Sequence, residues 1–133
     1  MILLEDVLIA ARTVYGEARG GSLVGKKAVV HVLMNRVAKK IMDSDSTLAQ
    51  AALRFKQFSC WNENDPNRLL LQRVDVDDKD FRNCLKCALE ALDEADFTNG
   101  ATHYHDKSMM PKWSLGHKPC FTEGGVLFYN DIV

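Results

Sequence analysis

The first candidate for chemistry is Glu17, which lies in the segment VYGEARGG at the end of a predicted helix. A carboxylate near a helix C-terminus meets the negative end of the helix dipole, and partial burial also disfavours its charged form. Both effects raise the pKa, as a general acid requires. The simpler interpretation is a solvated glutamate at a helix end, and position alone leaves both interpretations open.

A second candidate is the segment QFSCW, which joins polar and aromatic side chains in a predicted loop. Aromatic rings such as those of Phe58 and Trp61 stack on sugar faces in many binding clefts. Gln57 and Ser59 carry amide and hydroxyl groups that read sugar hydroxyls. The segment therefore fits a sugar subsite, and the alternative is that its two rings plug the core from a loop.

A third candidate is the run His103-Tyr104-His105 on a predicted strand. Strand alternation places His103 and His105 on one face, where both enter one cleft or one metal site. The sharper hypothesis is a zinc site with His31 or His117 as a third ligand. No H-E-x-x-H motif or comparable spacing supports that hypothesis.

Two of the four cysteines, Cys84 and Cys87, form a CxxC pair inside a strongly predicted helix, RNCLKCALEAL. Zinc-knuckle pairs lie on turns, and redox pairs lie at a helix N-terminus that stabilises the thiolate. The position therefore predicts small buried side chains. The alternative is a four-thiolate metal site that adds Cys60 and Cys120. A disulfide framework is not expected in a cytosolic chain of this length.

Helices must position the first two candidates. Apolar residues at helical spacing predict a first helix from about Leu3 to Ala18, ended by Gly20-Gly21. Ser22 is expected to cap a second, largely buried helix that runs to about Met42. A shorter helical stretch, TLAQAALRF, begins at Thr47.

The C-terminal half combines one long helix with strands. The helix is predicted from Lys79 to Asp96, with Asp77 or Asp78 as its cap and Asn99-Gly100 as its end. Its expected core stripe consists of Phe81, Leu85, Ala88, Leu89 and Leu92. A short strand ATHYH, a loop MMPKW and a hairpin KPCFTEGGVLFYN, turning at Gly124-Gly125, follow it. Helices followed by a small antiparallel sheet predict an α+β fold.

Size and charge restrict the function. A chain of 133 residues is one domain, 1–133, and a formal charge of −1 argues against binding through nucleic-acid phosphates. No apolar run approaches the roughly 20 residues of a membrane-spanning helix. Glu5, Asp6 and Arg12 lie where a signal peptide is positive or apolar, so we expect synthesis in the cytoplasm without a signal peptide.

Three blocks resemble one known family. ARTVYGEARGGSLVGKKAVVHVLMNRV is similar to the signature of the SleB/CwlJ-type cell-wall hydrolases, QFSCW resembles their second motif, and NGATHYHDKSMMPKW with GGVLFY resembles their third. The resemblance implies a lysozyme-like, mainly helical domain of the lytic transglycosylase kind, which cuts the β-1,4 bond between N-acetylmuramic acid and N-acetylglucosamine. By the same resemblance Glu17 is the catalytic acid. One departure is Gly21, where the family usually carries Glu or Asp.

The resemblance also implies a mechanism with one carboxylate. Hydrolytic glycosidases normally need two placed acids, whereas the next acids after Glu17 are Asp43 and Asp45, beyond the second helix. One acid is enough if the muramic acid C6 hydroxyl attacks C1, because an intramolecular nucleophile has a high effective molarity. No cofactor or metal is expected. The expected substrate-binding residues are Tyr15, Gln57, Ser59, Trp61, His103, Tyr104, His105 and Trp113.

Three alternatives remain open from sequence. They are a hydrolytic muramidase with an unidentified Asp, a zinc amidase built from His31, His103, His105 and His117, and a non-catalytic wall-binding module. The expected partner is the peptidoglycan glycan strand, without nucleic acid or stable membrane insertion. The expected setting is a monomeric phage or prophage endolysin that a separate holin releases to the wall or periplasm.

Overall fold

A computed structural model describes residues 3–18, 20–39, 47–53, 59–66 and 68–132. Its helices are α1 (Leu4–Ala18), α2 (Leu23–Lys39), α3 (Leu48–Leu53), α4 (Arg68–Arg73) and α5 (Lys79–Leu92). Short 3-10 turns occur at Ser59–Trp61 and Lys112–Ser114, and the strands are β1 (His103–Asp106), β2 (Phe121–Glu123) and β3 (Val126–Tyr129). Within these ranges no helix is long and apolar enough to cross a membrane.

The core forms where α1 and α2 pack against α5. Ala10 and Ala11 of α1 are fully buried, and their small side chains let the helices approach closely. On α5 the buried face includes Phe81, Cys84, Cys87, Ala88 and Ala91. The predicted core position Leu89 is wrong: its side chain is 53% exposed, because it lies about 100° around the helix from Ala88.

The helix ends follow their capping residues. Ser22 Oγ accepts from Gly25 N (3.0 Å) before α2, and Asp78 caps α5 by accepting from Phe81 N (3.0 Å), as predicted. The predicted end of α5 at Asp96 is wrong, because the chain leaves the helix after Leu92. The last described residue of α2 is Lys39, and the predicted end at Met42 lies outside the described residues.

The C-terminal sheet has the order β1-β3-β2, and both pairings are antiparallel. β2 and β3 form the predicted hairpin across Gly124-Gly125, whose φ angles of 56° and 83° suit glycine. Tyr104 on β1 lies opposite Phe128 on β3 and shares its face, which is turned towards the core. The expected α+β layout, mainly helical with a small antiparallel sheet near the C-terminus, is confirmed.

The short helix α4 was not predicted. Six residues give too little periodicity for sequence patterns to reveal a helix. Its Leu71 is fully buried, and Arg68 N donates to Asp65 O (3.1 Å) where the helix begins. α4 therefore ties the loop that follows Trp61 to the core.

Candidate active site

Glu17 lies in the last turn of α1 and is half-buried. The residue before it, Gly16, determines what packs there. A Cβ on Gly16 would meet Cys60 Cβ at 2.7 Å and Cys60 Sγ at 2.8 Å, and Leu71 Cδ1 at 3.0 Å. Glycine at this position therefore lets the 3-10 turn Ser59–Trp61 lie directly against the helix, beside Glu17.

Tyr104 approaches Glu17 from the sheet. Its ring packs against Phe128, with a centroid distance of 5.5 Å, and its buried hydroxyl lies close enough to the Glu17 carboxyl to lower the pKa of Glu17. Burial and the Glu17 charge keep the pKa of Tyr104 well above 10, so the hydroxyl remains a donor. The third predicted motif thus supplies a hydrogen-bond donor to the predicted acid.

The environment of Glu17 favours its neutral form. Burial raises the pKa of Glu17 from 4.5 to about 7, the hydrogen bond from Tyr104 lowers it, and the negative charge of Asp65 raises it. The direction expected from sequence is confirmed. A carboxyl with a pKa near neutrality can donate a proton to a leaving group and then accept one from a nucleophile.

Asp65 is the residue that sequence reasoning missed. It follows Trp61 in the loop to α4, it is half-buried, and its charge acts on both Glu17 and the Cys60 thiol. Burial, with the charges of Glu17 and Asp65, raises the pKa of Cys60, which therefore stays a thiol. The sequence signal that could have revealed Asp65 was its place four residues after QFSCW. Asp43 and Asp45, the acids named from sequence, lie outside the described residues.

The Trp61 ring contacts α1 at Thr13, one helical turn before Glu17. Its indole Nε1 donates to Thr13 Oγ1 (2.9 Å), and Thr13 Oγ1 donates in turn to the Ile9 carbonyl (2.7 Å). These bonds fix the ring against α1. Ser59 begins the same 3-10 turn, whereas Gln57 lies outside the described residues.

Tyr15 does not reach the site. It is only 5% exposed, its hydroxyl donates to Asp78 Oδ2 (3.2 Å), and its ring meets Phe81 edge-on at 6.3 Å. Two residues along a helix rotate the side chain by about 200°, which turns Tyr15 into the core while Glu17 faces Tyr104. The prediction that Tyr15 binds substrate is therefore corrected: it joins α1 to α5.

His103, His105 and Trp113 form a separate cluster. The two histidines lie on the opposite face of β1 from Tyr104, as alternation requires. Their rings are 5.3 and 5.6 Å from Trp113, and Tyr129 completes the cluster by stacking on His105 at 5.4 Å. Burial, with the charge of Arg36, lowers the pKa of His103 to about 4, so this ring is neutral at physiological pH.

The residues of the zinc hypothesis lie in different places. His31 Nε2 is 3.0 Å from Glu94 Oε1, at the junction of α2 and α5, and His117 Nδ1 is 3.0 Å from Asp131 Oδ2 near the C-terminus. Among the described residues, no three His, Cys, Asp or Glu side chains are grouped as a metal site would need. The zinc arrangement and the four-thiolate arrangement are therefore not found.

The cysteines of the CxxC pair are core residues, as predicted. Cys84 and Cys87 are at most 2% exposed, on the face of α5 that packs inward. All four cysteines are thiols rather than disulfides. Their burial explains the motif through packing, without redox chemistry.

Known structures share this fold. The catalytic domain of the germination-specific lytic transglycosylase SleB from Bacillus anthracis has a TM-score of 0.75 at 22% identity, over 96% of this chain and 95% of that domain. The catalytic domain of the Bacillus cereus SleB protein has a TM-score of 0.77 at 22% identity, over 97% of this chain and 92% of that domain. The lysozyme-like fold expected from sequence agrees with these two likenesses.

Sequence comparison gives the family. No curated protein sequence matches the chain. A family model described as Cell Wall Hydrolase matches residues 20–129, which is most of the chain and includes Tyr104 and Asp65, whereas Glu17 lies three residues before the matched range. The chain therefore belongs to the cell wall hydrolase family.

Proposed function

We propose that this protein is a peptidoglycan lytic transglycosylase that cleaves the β-1,4 bond between N-acetylmuramic acid and N-acetylglucosamine, with Glu17 as its acid and then its base. The observation that carries the proposal is the Glu17 carboxyl, whose pKa of about 7 suits both roles at neutral pH. The two SleB catalytic domains of the same fold support it, one of which is described as a lytic transglycosylase.

In the first step, the neutral Glu17 donates its proton to the glycosidic oxygen, and the bond from this oxygen to C1 of the muramic acid breaks. The Glu17 carboxylate then takes the proton of the C6 hydroxyl while the C6 oxygen bonds to C1. The products are a new sugar end and a 1,6-anhydro ring, and no water is consumed. Intramolecular attack allows this without a second base.

The Tyr104 hydroxyl assists the return half of this cycle. Its hydrogen bond favours the charged form of Glu17, so it stabilises the carboxylate that remains after the first proton transfer. Burial acts in the opposite direction and restores the neutral acid. The two opposing effects leave the carboxyl able to cycle between its forms.

Substrate contacts are proposed for the remaining predicted residues. Trp61 would offer an aromatic face beside Glu17, and Ser59 and Gln57 would contribute polar groups from the same segment. The cluster of His103, His105 and Trp113 would bind sugars farther along the glycan strand, because it lies on the face of β1 opposite Tyr104 and therefore away from Glu17. Neutral His103 suits uncharged sugar hydroxyls.

A hydrolytic muramidase is the second candidate, and Asp65 is the observation that favours it. A hydrolase needs a second carboxylate to activate water or to form a covalent intermediate, and Asp65 is close enough for its charge to act on Glu17. The transglycosylase remains our proposal, because one of the two catalytic domains that share this fold is described as a lytic transglycosylase.

Product masses decide between the two. We expect purified enzyme to release muropeptides that end in 1,6-anhydro sugars, each one water lighter than a hydrolysed product. Digestion in ¹⁸O-labelled water provides the control, because hydrolysis incorporates the label and transglycosylation does not. Labelled reducing ends would establish the muramidase and refute the proposal. Wall binding without any released product would favour the non-catalytic module.

We further propose that the protein acts as a monomer on the cell wall, in the manner of a phage or prophage endolysin that a holin releases. The support for action on the cell wall is the family, since the chain belongs to the cell wall hydrolases. Expression in bacteria with and without a holin tests this setting. Lysis only in the presence of the holin is expected, and equal lysis in both cultures would contradict it.

A further inference from the structure

A cavity of about 460 Å³ lies between α1, α3 and α4 and is lined in part by Trp61. We call it the Arg12 pocket, and its lining residues are Ile9, Arg12, Leu53, Trp61, Arg68 and Gln72. Two guanidinium groups share this cavity with an aromatic ring, two aliphatic side chains and one amide. Such a lining suits an anionic group attached to an apolar stem.

Arg12 is held in place but not neutralised. Its Nη2 donates to the Val74 carbonyl (3.5 Å), and its guanidinium carbon lies 5.8 Å above the Phe81 ring. Its Nε is buried without a hydrogen-bond partner. A buried donor left unsatisfied costs free energy, and the guanidinium keeps its full positive charge.

Arg68 adds a second positive charge at the start of α4. The ion pairs of Glu90, Glu94 and Asp131 are with Lys27, His31 and His117. Among the residues that the structure describes, no carboxylate is seen in an ion pair with Arg12 or Arg68. The pocket therefore presents two uncompensated cations in a protein whose formal charge is −1 overall.

The pocket and the proposed catalytic residue lie on the same helix. Arg12 precedes Glu17 by five residues, which is about 7.5 Å along the axis of α1 and about 140° around it. The 3-10 turn connects the two places, because Cys60 packs against the turn that carries Glu17 while Trp61 forms a wall of the pocket. A substrate that extends from Glu17 past this turn would meet the pocket.

We propose that the Arg12 pocket binds a carboxylate of the stem peptide that muramic acid carries. The inference rests on the proposed function, because that function places muramic acid beside Glu17. The peptide leaves the sugar at its lactyl group, so its carboxylates lie within reach. Guanidinium groups bind carboxylates through paired, charge-assisted hydrogen bonds. Ile9, Leu53 and the Trp61 ring would cover the aliphatic part of the peptide.

Binding measurements test the proposal without turnover. The variant Arg68→Gln is made in the Glu17→Gln background, and its affinity is measured for glycan strands that carry stem peptides and for the same strands after an amidase has removed them. We expect the affinity for peptide-bearing strands to fall about tenfold, which corresponds to the loss of one charge-assisted hydrogen bond. The affinity for bare strands should not change.

The matched control is Arg82→Gln. Arg82 is an exposed arginine of α5 that donates to the Val76 carbonyl (2.7 Å) and does not line the pocket. It should leave both affinities unchanged. A third substrate is wall that has been stripped of phosphate polymers but retains its peptides. It shows whether Arg68 binds the carboxylates of the peptides or the phosphates of the polymers.

Three results would overturn the proposal. They are an equal loss on bare strands, an equal loss with Arg82→Gln, and an Arg68→Gln effect that disappears when only the phosphate polymers are removed. Because these are affinities, they are independent of the product masses that test the reaction itself. Failure of the pocket and failure of the proposed function are therefore distinguishable.

Discussion

Two glutamates at helix ends, Glu17 and Glu94, show how neighbours determine the state of a carboxyl. Glu94 lies two residues beyond α5 and contacts His31 Nε2 (3.0 Å) and Lys27 Nζ (3.3 Å). The hydrogen bond from His31, together with Lys27, lowers the pKa of Glu94. Glu17 instead has burial and a second carboxylate around it, and its pKa rises to about 7.

The difference separates a structural carboxylate from a chemically useful one. Glu94 ties α2 to the chain beyond α5, and its charge is stabilised by cationic partners. Glu17 has one hydroxyl donor, Tyr104, which compensates only part of the cost of burying a charge. A carboxyl in such surroundings is about half protonated at neutral pH, and an acid catalyst needs this protonated fraction.

The largest expected effect is on activity. Glu17→Gln keeps the shape of the side chain but removes the transferable proton, so we expect lysis of a cell-wall suspension to fall about 10³-fold. Glu94→Gln is the matched control and should keep its activity within about twofold, because Glu94 contacts only structural partners. Clearing by Glu17→Gln at near the wild-type rate would remove Glu17 from the mechanism.

The same pair should differ in how stability depends on pH. The pKa of Glu17 is raised in the folded state, so its contribution is complete below pH 4.5 and is lost as pH rises through about 7. Glu17→Gln should therefore be more stable than wild type at pH 8, by about 3 kcal/mol, and equal to it at pH 4. Urea unfolding at the two pH values measures this.

Glu94 should show the opposite dependence. Its folded pKa is lowered, so its contribution is present above the usual pKa and is lost as pH falls through the folded value. Glu94→Gln should cost about 1 kcal/mol at pH 7, a small figure because the pair is partly exposed to solvent, and nothing in strong acid. Parallel pH profiles for the two variants would contradict the comparison.

The sequence predicted the pKa shift of Glu17 better than the neighbours that cause it. The sign of the shift followed from the place of Glu17 at a helix end, its role as the acid came from the family resemblance and stays a prediction, and the β2–β3 hairpin followed from Gly124-Gly125. Local sequence patterns do not predict that Asp65 approaches Glu17 or that Tyr15 turns into the core, because both depend on how α1 packs against other elements. The end of α5 was misplaced for a similar reason: Glu94 leaves the helix to contact His31 on α2.

A smaller effect is expected from the hydroxyl of Tyr104. Tyr104→Phe removes the interaction that lowers the pKa of Glu17, so that pKa should rise further. The alkaline limb of the pH–rate profile should move to higher pH, and the maximal rate should fall about tenfold, since the carboxylate loses a stabilising donor.

Tyr129→Phe provides the control for this change. Its hydroxyl is 2.9 Å from His105 Nε2, on the other face of the sheet, so the variant loses a hydroxyl without affecting Glu17. Its alkaline limb should stay in place. If both variants moved the limb equally, the hydrogen bond from Tyr104 would not be the cause.

The smallest effect, and the most discriminating one, is expected from Asp65→Asn. Removing this charge should lower the pKa of Glu17, because the Asp65 carboxylate raises it. The alkaline limb should then move to lower pH, the opposite of Tyr104→Phe, with activity reduced a few-fold at pH 8 and unchanged at pH 5. Glu63→Gln, an exposed change of equal charge in the same loop, should leave the profile where it is.

Opposite shifts from Tyr104 and Asp65 would show that Glu17 is balanced between a donor and a repelling charge, whereas Glu94 has only attractive partners. A loss of about 10³-fold at every pH would mean something else, because a charge that only tunes a neighbour cannot abolish the reaction. Asp65 would then be the second carboxylate of a hydrolase, and the products would carry label from water. This one substitution therefore tests both the comparison between the two glutamates and the choice between the two reactions.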